Sequence, residues 1–83
     1  MNINKYITVD PRICHGKPCF KGTRIMVYLI LEMLAGGETP IEIIQNAYPR
    51  LTKKHIAAAL EYSALMAEQG HLVKINPSYA VSG

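Results

Sequence analysis

The chain has 83 residues, 49% of them hydrophobic, and a formal net charge of +3. That length bounds one small domain, 1–83, with a thin core, because a chain of this size buries only a little over ~60% of the surface it exposes unfolded. The apolar content excludes a disordered tail, two cysteines exclude a disulfide scaffold, and the longest apolar run, 25–31, is far short of the ~20 residues of a membrane span.

Residues 1–10 hold no apolar signal segment, so a cytoplasmic protein with free thiols is expected. "YITV" (6–9) is short and β-prone, and Asp10-Pro11 ends it. His15-Gly16-Lys17-Pro18 reads as a turn, Cys19-Phe20 as a second short strand, and Lys21-Gly22-Thr23 as another turn. Phe20, the single phenylalanine, is expected to anchor the core. "IMVYLILEMLA" (25–35) is apolar almost all round, which predicts a short helix in the centre of the core, closed by Gly36-Gly37.

Thr39, Pro40 and Glu42 form a capping box with proline at the first helical position, so a second helix is predicted over 39–49. Its expected inner face is Ile41, Ile44, Ala47 and Tyr48. A third helix starts at Thr52 and runs to Gly70, with Ile56, Ala59, Leu60, Ser63, Ala64 and Ala67 on the expected inner face. "HLVKIN" (71–76) suggests a last strand, and 77–83 a frayed tail, leaving an ordered core over 5–70. The fold class is thus mainly α: three helices with a short N-terminal β element, the last two fitting a helix-turn-helix, although any αα-hairpin has the same outline.

Charge alternates along the chain. Lys5, Arg12, Lys17, Lys21 and Arg24 face only Asp10 in the first 24 residues, Glu32, Glu38 and Glu42 follow, and Arg50, Lys53 and Lys54 come next. Two basic blocks suit a polyanion touched at two places. The start of the third helix sharpens this. A helix N-terminus carries roughly half a positive charge, so cations there cost about 0.3–1 kcal/mol each. Carboxylates belong at that position, yet Lys53, Lys54 and His55 follow Thr52, with Arg50 just before. A phosphate backbone would gain from both the cations and the free N–H groups of the first turn. The alternative is that the lysines simply point into solvent. The candidate DNA contacts are Arg50, Thr52, Lys53, Lys54 and His55, with His55 or a neighbour reaching a base edge, and Lys17, Lys21 and Arg24 as additional basic contacts.

Cys14, His15 and Cys19 lack the paired spacing of a structural zinc site, and Gly16 to Gly22 is too long for a Walker A loop and ends Gly-Thr-Arg. No base or orienting group accompanies either cysteine, so no enzyme, metal or cofactor is expected.

The order "GKPCFKGTRI", "LAGG", "TPIEIIQNAYPRLT" and "IAAALEY" resembles domain-of-unknown-function family 433 (DUF433) over about residues 5–68. The resemblance implies a homeodomain-like helix-turn-helix protein. It also implies a role similar to the antitoxins of two-gene toxin–antitoxin modules, with a PIN-like ribonuclease as partner and repression of the module's own operon. Gly22, Thr23, Arg24 and Ile25 match the family's Gly-Thr-Arg-Ile, and Tyr48, Pro49, Leu51 and Thr52 match its turn. Met26 stands where members often have proline, and Lys53-Lys54-His55 where they often have acidic or neutral residues. The expected partners are operator DNA, a toxin and a second copy of the chain. The competing reading is a protein-interaction module that uses the same scaffold without DNA.

Overall fold

Backbone hydrogen bonds of the segment 18–27 decide how the chain starts. The structure is a computed structural model that describes residues 1–70. The strand expected over 71–76 and the tail over 77–83 lie outside the described residues. A short 3-10 turn over Ile3–Lys5 leads into strand β1, Ile7–Thr8, which pairs antiparallel with β2, Cys19–Phe20, in the register Ile7 to Phe20 and Thr8 to Cys19.

The turn after β2 explains the Gly-Thr-Arg-Ile stretch residue by residue. The Thr23 N–H returns to the Phe20 carbonyl at 3.0 Å, which leaves Gly22 at φ +80°. An L-residue tolerates that conformation poorly. The Thr23 hydroxyl donates to the Phe20 carbonyl at 2.8 Å and accepts from the Ile25 N–H at 3.0 Å. Gly22→Ala should therefore lower stability by about 1 kcal/mol through backbone strain alone, since an added Cβ meets nothing within 4 Å. A melt unchanged from wild type would contradict this.

Helix α1 spans Val27–Ala35, two residues later than predicted. Ile25 and Met26 are held by the hairpin instead: the Phe20 N–H bonds the Ile25 carbonyl at 3.0 Å, and Met26 bridges Cys19. The helix is also not buried all round. Val27 and Ile30 are buried, while Tyr28 is 44% exposed. Its end follows the expectation closely. The Gly37 N–H reaches the Leu34 carbonyl at 3.0 Å and the Glu38 N–H the Met33 carbonyl at 3.1 Å, with Gly37 at φ +98°.

Helix α2, Pro40–Asn46, carries the expected capping box: the Glu42 N–H donates to the Thr39 hydroxyl at 3.2 Å, and the Thr39 N–H to the Glu42 carboxylate at 2.9 Å. It stops three residues short of the prediction, and its buried residue is Ile43; Ile41 and Ala47 are exposed. Helix α3, Lys53–Glu68, turns Ile56, Ala59 and Ser63 inward as expected but centres its inner face on the other side of them. Ile56, Ala58 and Ala59 are buried and Tyr62, Ser63 and Met66 half-buried, whereas Leu60, Ala64 and Ala67 face outward. In both helices apolar residues occupy two faces, so periodicity alone does not choose the inner one. Packing on α1 and the hairpin does. The fold is thus a mainly helical small domain, three helices on a two-stranded hairpin, around Phe20, Val27, Ile30, Ile43, Leu51 and Ile56.

Candidate nucleic-acid interface

One arginine from each basic block, far apart in sequence, meets the other in space. Arg50 lies in the turn between α2 and α3, and its Nη2 donates to the Gly22 carbonyl at 3.4 Å. That contact sets it beside Arg24, whose side chain leaves the β2–α1 turn. The two arginines, with Gly22, Thr23, Thr8 and Ile13, line an open hollow of about 460 Å³ that contains no carboxylate. Both arginines are exposed, and neither is in an ion pair among the described residues.

The other basic candidates are placed differently. Lys21 Nζ donates to the Asn4 carbonyl at 2.6 Å, which ties the hairpin to the N-terminal turn. Lys17 Nζ sits 5.3 Å from the centre of the Tyr28 ring, a cation–π contact on α1. Arg12 is paired with Asp10 at 3.1 Å, and that guanidinium holds the Asp10 carboxyl below its ordinary pKa.

At the start of α3, Thr52 is the N-cap, as expected, and Lys53 and Lys54 are exposed. Lys53 borders the groove toward the first turn of α2. Past the first turn the exposed residues of the helix are Ala57, Leu60, Glu61, Ala64, Leu65, Ala67 and Glu68, so the polar groups it offers outward there are carboxylates, which a phosphate backbone repels.

His55, a candidate for base contact, is turned inward. Its Nδ1 accepts the Thr52 backbone N–H at 3.0 Å and lies 2.9 Å from the Thr52 hydroxyl. It thus takes the place a glutamate holds in the usual capping box. The ring stands edge-on to Tyr6 and Phe20, with centroids 5.3 and 5.5 Å away. Burial pushes its pKa below the ordinary 6.5. The unfolded chain therefore binds this proton more readily, and stability present above about pH 6.5 is lost as pH falls through that value toward the folded pKa. Denaturation midpoints from pH 8 to 5 should drop in the wild type and much less in His55→Gln; equal slopes would exclude the buried imidazole as the cause.

The stretch before β2 contains a feature that residue types conceal. Cys14, His15 and Gly16 all have positive φ, 53°, 57° and 79°, so they make a left-handed turn. Only the glycine suggests it in sequence. The Cys14 thiol donates to the Arg24 carbonyl at 3.4 Å and the Cys19 thiol to the Thr23 carbonyl at 3.7 Å. Burial and the neighbouring Cys14 raise the Cys19 pKa, so Cys19 is a neutral packing group. Among the described residues, no three His, Cys, Asp or Glu side chains gather where they could hold a metal, and no helix is long and apolar enough to cross a membrane.

Comparison with known proteins places this arrangement. The family described as "Protein of unknown function (DUF433)" matches residues 7–63, from β1 into the middle of α3. The chain belongs to the DUF433 family. A crystal structure of a DUF433 member protein from Anabaena variabilis superposes with a TM-score of 0.70 at 30% sequence identity, over 81% of this chain. The chain spans 65% of that protein's length. No curated protein matches it significantly. The DUF433 segment includes Gly22, Arg24, Arg50, Lys54 and His55, so both arginines of the hollow lie within the family's own fold. Sequence reasoning placed Arg24 only among secondary contacts. Its meeting with Arg50 depends on a bond across 28 residues that no local pattern signals.

Proposed function

We propose that this DUF433 protein is a DNA-binding, antitoxin-like regulator, a non-catalytic homodimer that represses its own operon and neutralises a PIN-like ribonuclease. The observation that carries the DNA part is the convergence of Arg24 and Arg50 on one hollow free of carboxylates. Paired guanidiniums at a shaped surface suit phosphate oxygens, which each can grip through two parallel N–H bonds. The family resemblance supports the antitoxin part. With only apolar and acidic side chains outward on α3 beyond Lys54, affinity comes mainly from backbone contacts, and sequence discrimination from the shape of the duplex.

The test is binding of the full chain to the duplex upstream of its own gene across a salt series. The proposal expects log K to fall linearly with log salt at a slope of about two or more. Absence of binding at about 50 mM salt ends the DNA reading. The protein-interaction alternative would then lead, favoured by Ile41 and Leu60, which are 49% and 48% exposed.

A further inference from the structure

The outer face of α3 is organised for contact with something. Lys53, Ala57, Leu60, Ala64 and Ala67 recur at alternating spacings of four and three, and all are exposed. That is the spacing of a seam between two packed helices. Beside Ala57 and Leu60, the first turn of α2 supplies Pro40 and Ile41, and together they border an apolar groove of about 330 Å³. Leu60 and Ile41, each about half exposed, stand on its rim. A large side chain next to small ones invites a partner that offers the same pattern in reverse.

Charge decides which partner and which direction. Lys54 and Glu61 are seven residues apart, two helical turns, and so lie on one flank of the seam. A parallel copy would put that flank on opposite sides of the seam in the two chains, leaving Lys54 and Glu61 facing the flank of Ile56 and Ser63, and would align the two helix dipoles. An antiparallel copy, related by a two-fold axis, keeps that flank on the same side and reverses its order. With Leu60 of each copy over Ala57 of the other, Lys54 then stands beside Glu61 of the second copy, and the pair is made twice by symmetry. Lys54 has no ion-pair partner among the described residues, and Glu61 has only the N-terminal ammonium at 3.7 Å, an exposed contact of little weight.

We propose that the groove between α2 and α3 is closed by a second copy of this chain, packed antiparallel through α3, with Leu60 as the reciprocal knob and Lys54–Glu61 as the reciprocal ion pair. This assigns Lys54 to self-association and leaves phosphate contact to Arg24 and Arg50, which line a different hollow. It does not rest on DNA binding.

Sedimentation of the full chain tests it. The wild type should be dimeric at tens of micromolar. Leu60→Ala should weaken the dimer on the order of tenfold to a hundredfold, because two half-exposed leucines lose their burial at once. Lys54→Glu and Glu61→Lys should each weaken it about tenfold or more, and the two together in one chain should restore it to within a few-fold of wild type. Lys54→Glu places a carboxylate in the first turn of α3, which favours the helix, so its monomerisation is not loss of fold. Circular dichroism of all four variants should match wild type. A monomeric wild type at that concentration overturns the proposal, as does a charge swap that recovers nothing over the single variants.

Discussion

Replacing Arg24 and Arg50 together with alanine should weaken duplex binding on the order of tenfold to a hundredfold at about 0.1 M salt, and lower the slope of log K against log salt by about two. Each arginine that neutralises a phosphate releases about one condensed counterion, so the slope counts contacts while the affinity change gives their weight. The fold should survive. Arg50 makes one long, exposed bond to the Gly22 carbonyl, and the backbone bonds of the 22–25 turn do not involve the Arg24 side chain. The melt should then stay within a few degrees of wild type. Arg12→Ala removes the same charge from an exposed residue outside the hollow, and should change the slope by much less than either arginine of the pair. If the double variant keeps wild-type affinity and slope, Arg24 and Arg50 do not contact the nucleic acid and the interaction reading moves ahead.

What the sequence disclosed and what it withheld divide along physical lines. The Thr39–Glu42 box and the Gly36–Gly37 end were legible because each is settled within six residues by side-chain chemistry or a positive φ. Phe20 was legible because a lone large aromatic in a short chain has few places to go. The inner faces of α2 and α3 were read in part: Ile44, Tyr48, Ile56, Ala59 and Ser63 turn inward as expected, and the rest went astray because two apolar faces compete. Ile43 and Ala58 were taken inside by the packing of three helices, and Ile41 and Leu60 were left out by it. His55 was misleading for another reason. At the third helical position its ring nitrogen does the work of a carboxylate, so a residue that suggested contact with a ligand is spent on the backbone of Thr52. The meeting of Arg24 and Arg50 is a product of tertiary structure, because Tyr48, Leu51 and the hairpin must all be in place before the Arg50 guanidinium reaches Gly22. For the proposed nucleic-acid surface this matters most: each basic block was visible, and the meeting of Arg24 with Arg50 was not.

Phe20→Ala should be the most damaging single change in the described residues. Phe20 is 0% exposed and is the largest of the fully buried side chains. Its backbone N–H bonds the Ile25 carbonyl at 3.0 Å, its carbonyl accepts from Thr23, and its ring meets the His55 imidazole edge-on at 5.5 Å. One side chain therefore joins the hairpin, the turn that carries Arg24, and the capped start of α3. Truncating a buried phenylalanine costs ~3–5 kcal/mol, from lost transfer energy and the cavity left behind. A domain of this size has total stability near the low end of ~5–15 kcal/mol, so most of the folding free energy would go. The melting midpoint should fall by roughly 15–30 °C, since each kcal/mol moves it about 4–8 °C in a domain this small. Phe20→Leu keeps the site apolar and most of its volume, and should cost about 1–2 kcal/mol. Two readouts separate stability from contact. At a temperature where Phe20→Leu is still folded, it should bind duplex with the wild-type salt slope, because it touches no phosphate-facing group. Phe20→Ala should lose helicity and binding together. If Phe20→Ala melts within about 5 °C of wild type, the hairpin does not depend on this anchor, and the positioning of Arg24 beside Arg50 must come from elsewhere in the fold.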